Sequence, residues 1–149
     1  MLRKLNVLWL FIALATVLST AGCGQTEFTL TNGEIKPMSD FQGRWLVVNY
    51  WAVWCKPCVE EIPQLNKLNE REDTVVLGVN FDGIQGDALI HQAETLGIQY
   101  AMIAHDPAEN LDIKRPSVLP ATVLIDPDSN IKHVLFGPQT VDSIVDKMQ

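Results

Sequence analysis

Val47-Val48-Asn49-Tyr50-Trp51-Ala52-Val53-Trp54-Cys55-Lys56-Pro57-Cys58 is the stretch on which the reading of this chain turns. The run Trp45–Trp51 is nearly continuous in branched and aromatic residues, the pattern of a strand covered on both faces at the middle of a sheet. From 55 to about 70 the apolar positions Val59, Ile62, Leu65 and Leu68 recur every three residues, along one side of a helix that begins at or just after Cys55. Pro63 lies inside that helix and is expected to kink it. A buried strand therefore hands two cysteines, two residues apart, to a helix N-terminus.

That position has chemical consequences. A cysteine attacks a disulfide only as thiolate, and the free N–H groups and positive dipole end of a helix favour its charge. Cys55 lies closest to them and is expected to be the exposed attacker, while Cys58, one turn in, is more shielded. Lys56 adds a nearby positive charge, and Pro57, which has no N–H to lose, stiffens the first turn. The expected course is attack by Cys55 to give a mixed disulfide, then resolution by Cys58. The competing reading is a metal site. Structural zinc usually takes four ligands, and no second Cys-x-x-Cys or histidine pair at helical spacing accompanies the first. His91, His105 and His133 are scattered, so no metal site is assigned. No cofactor is expected beyond the redox-active pair itself.

Outward from the motif the chain alternates. Phe28-Thr29-Leu30 and Glu34-Ile35-Lys36 flank a Thr31-Asn32-Gly33 turn signal and read as a hairpin, with a brief turn at Asp40-Phe41-Gln42-Gly43. Thr74–Asn80 is a second central strand. Residues 87–96 read as a helix with Asp87 as N-cap, with Leu89, Ala93 and Leu96 inward and Gly97 as its stop. Residues 100–104 form a short strand, and 111–115 fit no single element. Strands at 122–126 and Ile131–Phe136, joined by Pro127-Asp128-Ser129-Asn130, make a hairpin. A last helix starts from Thr140, with Val141, Ile144, Val145 and Met148 on one face.

The strand followed by Trp-Ala-x-Trp and Cys-x-Pro-Cys resembles the signature of thioredoxins, and is most similar to the exported TlpA/ResA/CcmG group of thioredoxin-like disulfide reductases. Leu119-Pro120-Ala121-Thr122-Val123-Leu124-Ile125-Asp126 resembles the segment that carries a cis-proline facing the cysteines in that family. The resemblance runs from about Phe28 to the C-terminus. It implies an α/β, thioredoxin-like fold, with a central mixed sheet flanked by helices and the hairpin as an N-terminal extension. It implies catalysis by Cys55 and Cys58, a cis Pro120 that helps bind an extended substrate peptide, and Leu119 and Trp54 as further substrate contacts. Trp51 and Trp54 flank the motif and read as part of its apolar rim, with a mostly core position open to Trp51. Asn49 stands where thioredoxins proper carry a buried acid; asparagine cannot take a proton, and its expected role is to satisfy buried hydrogen bonds. Glu61, three residues after Cys58 on the same helix face, matches an acid in several of these reductases. Two roles are open to it: tuning or deprotonating Cys58, or complementing the helix dipole as a first-turn acid.

The N-terminus reads separately. Arg3 and Lys4 precede an apolar run from Val7 to Ala15, extended by Val17 and Leu18, and no acid occurs before Glu27: a secretory signal, at the short limit for a retained anchor helix. Leu18-Ser19-Thr20-Ala21-Gly22-Cys23 resembles a bacterial lipoprotein signal, which makes Cys23 a lipidation site and explains the odd one of three cysteines. Thr20 departs from that pattern and leaves a conventionally cleaved or uncleaved signal open. The expected organisation is a signal over 1–22, a lipidated tether over 23–27 and one domain over 28–149. Without Arg3 and Lys4, eighteen acids face nine basic residues, a formal −9. That balance argues against nucleic acid and against docking on anionic lipid by charge, so attachment falls to acyl chains.

The expected function is thus a membrane-tethered protein-disulfide oxidoreductase, exported and facing the periplasm or cell exterior, in an inner or outer membrane. The resemblance implies reduction of exported proteins' disulfides, as in cytochrome c maturation, with a membrane electron donor of DsbD/CcdA type. The alternatives are a scaffold that binds copper or a protein without turnover, and a net thiol oxidase.

Overall fold

A computed structural model describes residues 26–149. The expected signal at 1–22, Cys23 and all but the end of the tether lie outside the described residues.

The chain enters through β1 (Glu27–Thr29) and β2 (Ile35–Pro37), an antiparallel hairpin that pairs Phe28 with Lys36. Gly33, at φ 83°, makes the connecting turn, a conformation that L side chains rarely adopt. A 3-10 turn over Met38–Phe41 leads to β3 (Trp45–Trp51). Then follow α1 (Lys56–Asn69), β4 (Thr74–Asn80), α2 (Gly86–Thr95), β5 (Ala101–Ile103), β6 (Ala121–Ile125), β7 (Ile131–Phe136) and α3 (Val141–Val145). Among the described residues, β3 to β7 form a mixed sheet in the order β5-β4-β3-β6-β7. β3 runs parallel to β4 and antiparallel to β6.

The connections β3-α1-β4 and β4-α2-β5 step across the sheet in the same direction, and a common hand of crossover puts both helices on one face. There Val47 and Trp51 of β3 pack with Leu65 and Leu68 of α1, Leu89 and Ala93 of α2 and Ile144 of α3. The opposite face sets Leu46, Val48 and Tyr50 against Phe28 of the hairpin, Phe41 and Leu111. β3 therefore alternates between two covered faces, which is why its sequence is apolar almost throughout.

α1 continues through Pro63 as one helix. Asp87 is not the N-cap of α2. Gln85 takes that place without a side-chain cap, because the chain enters through Gly86 at φ 59°, which leaves Asp87 in the first turn. Gly97 ends α2 as expected, at φ 72°. α3 stops at Val145, short of the expected reach to Met148, and the chain goes on in turns. Its start is a capping box: Thr140 Oγ1 accepts from Ser143 N at 3.1 Å, and Ser143 Oγ accepts from Thr140 N at 2.9 Å. Residues 107–113 form consecutive turns. Among the described residues no helix is long and apolar enough to cross a membrane.

Candidate active site

β3 ends at Trp51, and a tight turn in which Cys55 N donates to Ala52 O at 3.1 Å brings the chain to α1. Cys55 is the N-cap: its Sγ accepts from Cys58 N at 3.3 Å, so the sulfur lies on one of the helix's free N–H groups. Cys55 and Cys58 are joined as a disulfide, with 5.3 Å between their Cα atoms. Cys55 is 4% exposed and Cys58 1%. In this disulfide state both cysteines are buried, Cys55 slightly the less so, with its sulfur on the first turn of α1. Lys56 points out and pairs with Glu60 at 3.7 Å.

Glu61 is the largest departure from surface expectation. It is 2% exposed, and α1 has no acid in its first turn, so the dipole role does not describe it. Its Oε1 accepts from Asn49 Nδ2 at 2.7 Å and its Oε2 from Gln139 N at 2.8 Å. Burial pushes the carboxyl up to about 7, against the pull of the hydrogen bonds from Gln139 and Asn49. Asn49 also donates to Thr122 Oγ1 at 3.2 Å, across the β3–β6 register. Asn49 thus satisfies buried groups, as expected, and one of them is an acid. Sequence reasoning missed Gln139, which acts through its backbone N–H and left no side-chain signal. It also missed Thr122, a hydroxyl in an otherwise apolar strand.

The peptide bond from Leu119 to Pro120 is cis. Ala121 lies opposite Tyr50, which carries Pro120 to the end of β3 where the cysteine turn begins. Pro120 is buried and its carbonyl accepts from Gly137 N at 2.9 Å. Leu119, partly buried, packs against the cluster that contains both cysteines. Trp51 and Trp54 separate: Trp51 is core, while Trp54 is 63% exposed. The Trp54 indole N–H reaches both carboxylate oxygens of Asp82, at 2.9 and 3.1 Å, and its ring meets Phe81 edge-on with centroids 6.3 Å apart. Asp82 and Phe81 were invisible to sequence reasoning, being 28 and 27 residues away on another loop. His91 bonds Thr95, His105 bonds Gln85, and among the described residues no three potential metal ligands cluster.

Residues 22–134 match the AhpC/TSA family. The chain belongs to the AhpC/TSA family. Within this family it is similar to the thiol-disulfide oxidoreductase ResA of Geobacillus kaustophilus strain HTA426, 29% identical over 83% of this chain and 73% of that protein. It is likewise similar to ResA of Bacillus thuringiensis subsp. konkukian strain 97-27, 30% identical over 79% of this chain and 70% of that one. Among solved structures, a secreted thiol-disulfide isomerase from Corynebacterium glutamicum superposes with a TM-score of 0.70 at 24% identity, over 83% of this chain and 81% of that chain. The protein is an AhpC/TSA-family, ResA-type protein-disulfide oxidoreductase of thioredoxin-like fold.

Proposed function

We propose that this oxidoreductase reduces disulfides of exported proteins from a lipid anchor at Cys23, with Cys55 as attacking thiol and Cys58 as resolver. The observation that carries the assignment of roles is the placement of Cys55 at the N-cap of α1, with Cys58 one turn in and a buried acid three residues beyond. Once the pair is reduced, the helix N–H groups favour the Cys55 thiolate. This thiolate attacks one sulfur of the partner disulfide, a mixed disulfide forms, and the partner's other sulfur leaves as thiolate. Cys58 then attacks Cys55 Sγ, the Cys55–Cys58 bond forms, and the partner's second thiolate departs. Two electrons pass to the partner, and the protons of the two cysteines end on the partner's thiols.

Glu61, poised at about 7, accepts the proton of Cys58 as that sulfur attacks. The partner lies as an extended segment along Leu119 and Pro120, bounded by the exposed Trp54. A membrane thiol donor of the DsbD/CcdA type restores the dithiol by the same exchange in reverse. The leader with its Ala21-Gly22-Cys23 end supports export and anchoring, and the ResA relatives, thiol-disulfide oxidoreductases by name, support disulfide exchange; apocytochrome c is the partner we propose.

The test is capture in cells with a Cys58→Ser variant, which cannot resolve, paired with insulin reduction by Cys55→Ser. Exported proteins held through Cys55, and no turnover in Cys55→Ser, are expected. One-to-one copper binding without insulin turnover in the parent would sink the proposal in favour of a scaffold.

A further inference from the structure

Arg115 lies outside the cysteine motif and four residues before Leu119. Its guanidinium is spent on three contacts at once. Nε donates to Asp106 Oδ2 at 2.5 Å, Nη2 donates to the carbonyl of Phe81 at 2.5 Å, and the guanidinium carbon stands 4.0 Å over the Phe81 ring. Each partner is fixed from elsewhere. Asp106 Oδ1 accepts from the Tyr50 hydroxyl at 2.9 Å and from Ala108 N at 3.0 Å, and Tyr50 is a buried residue of β3. Phe81 N donates to Trp51 O at 2.8 Å, four residues before Cys55. The ring beneath Arg115 is the one that meets the Trp54 indole edge-on, and the next residue, Asp82, holds the indole N–H.

Arg115 therefore joins two segments that share no regular element. One is the loop after β4, which carries Phe81 and Asp82 and through them Trp54. The other is the strap from 106 to 118, which delivers Leu119 and the cis peptide bond. In the proposed binding mode, where the substrate lies along Leu119 and Pro120 and is bounded by Trp54, these two segments are the walls of its groove.

We infer that Arg115 is a positioning residue for the oxidoreductase reaction: it fixes the spacing between Trp54 and Leu119–Pro120, and so sets affinity for extended polypeptide disulfides without touching the sulfurs. The inference rests on the proposed substrate groove. A planar fork suits the task, because one guanidinium can hold a carboxylate and a carbonyl while stacking on a ring. A lysine ammonium keeps the charge and loses that geometry.

The effect should divide by substrate. A polypeptide fills the groove between both walls, whereas a small disulfide such as cystamine needs only access to Cys55. With the walls loosened, binding to the polypeptide weakens equally in ground and transition states, which raises KM and leaves kcat alone.

The experiment uses the folded protein with insulin or cystamine as substrate and dithiothreitol as electron source. Arg115→Gln and Arg115→Lys are each expected to raise KM for insulin about fivefold or more, with kcat and the cystamine rate unchanged. Arg115→Gln should also shift tryptophan emission, and the shift should vanish in a Trp54→Phe background. Phe81→Leu, which removes the ring and keeps the carbonyl, serves as a second variant and should raise KM in the same way. Unchanged insulin KM in Arg115→Gln and Phe81→Leu overturns the inference, as does an equal loss with insulin and cystamine. Trp54→Ala separates the two levels. If it raises insulin KM while Arg115→Gln does not, only the role of Arg115 falls; if it leaves KM unchanged, the groove assignment falls.

Discussion

Asn49 Nδ2 donates to Glu61 Oε1 across 2.7 Å, tying the middle of the central strand to the helix that begins at the redox pair. An uncharged strand residue thus cradles an acid supplied by the helix. Buried with two donors, Glu61 is pulled both ways: burial favours the neutral acid, while the N–H groups of Gln139 and Asn49 favour the anion.

A first prediction is a stability slope with pH. The folded carboxyl titrates at about 7 against an ordinary 4.5, so its favourable contribution is complete below 4.5 and is lost as pH rises through about 7. Unfolding free energy of the oxidised protein should fall by about 2–3 kcal/mol between pH 5 and 8. Glu61→Gln removes the titration and should flatten that slope in urea unfolding. An identical slope in the variant would contradict the assignment.

A second concerns kinetics. If Glu61 takes the Cys58 proton, release of a partner from the mixed disulfide should accelerate as pH rises through about 7, where the carboxylate forms. Glu61→Gln should slow release by about 10²-fold or more at neutral pH and move the profile to higher pH. Single-turnover decay of a pre-formed mixed disulfide measures it, and a profile unchanged by the substitution would reduce Glu61 to a packing role.

The turn between β6 and β7 supplies a third. Asp126 Oδ1 accepts from Asp128 N at 3.0 Å and from Asn130 N at 2.7 Å, while Lys132 Nζ lies 2.9 Å from Oδ2. Burial would raise its carboxyl, but the bonds from Lys132 and Asn130 outweigh this and hold it at about 2. Asp126→Ala should lower the melting midpoint by roughly 5 °C at neutral pH. With a depressed folded value, the parent's advantage is present above the ordinary 3.8 and shrinks as pH falls towards about 2. Melting curves at pH 7 and pH 3 test both halves.

A fourth concerns Gly78, opposite Asn49 on β4. A Cβ there would come within 2.5 Å of Met102 Sδ and 3.0 Å of the Tyr100 ring. Gly78→Ala should cost about 1–3 kcal/mol by overpacking and leave the cystamine rate unaltered. In a Met102→Ala background the same substitution should cost less, which a double-mutant cycle in urea would show.

Much of the architecture was legible because it is local. Trp45–Trp51 and Thr74–Asn80 emerge as the expected strands with the expected bounds, and Gly97 ends its helix, since side-chain period and turn chemistry are set within a few residues. The N-cap of α2 was misread because Gly86 turns the entry with its backbone, which a scan for capping side chains overlooks.

By itself, then, the sequence determined the order of elements, the delivery of Cys55 and Cys58 to a helix N-terminus, and the resemblance that made Pro120 cis. Only the tertiary structure decided the state of the groups around that pair. It buried Glu61 against a backbone N–H 78 residues away, separated the core Trp51 from the surface Trp54, and brought Arg115 over Phe81 across 34 positions. The physical reason is one of range: backbone preference and hydrophobic period act between neighbours in the chain, whereas burial, hydrogen-bond partnership and the charge of a carboxyl depend on whatever the fold places beside it.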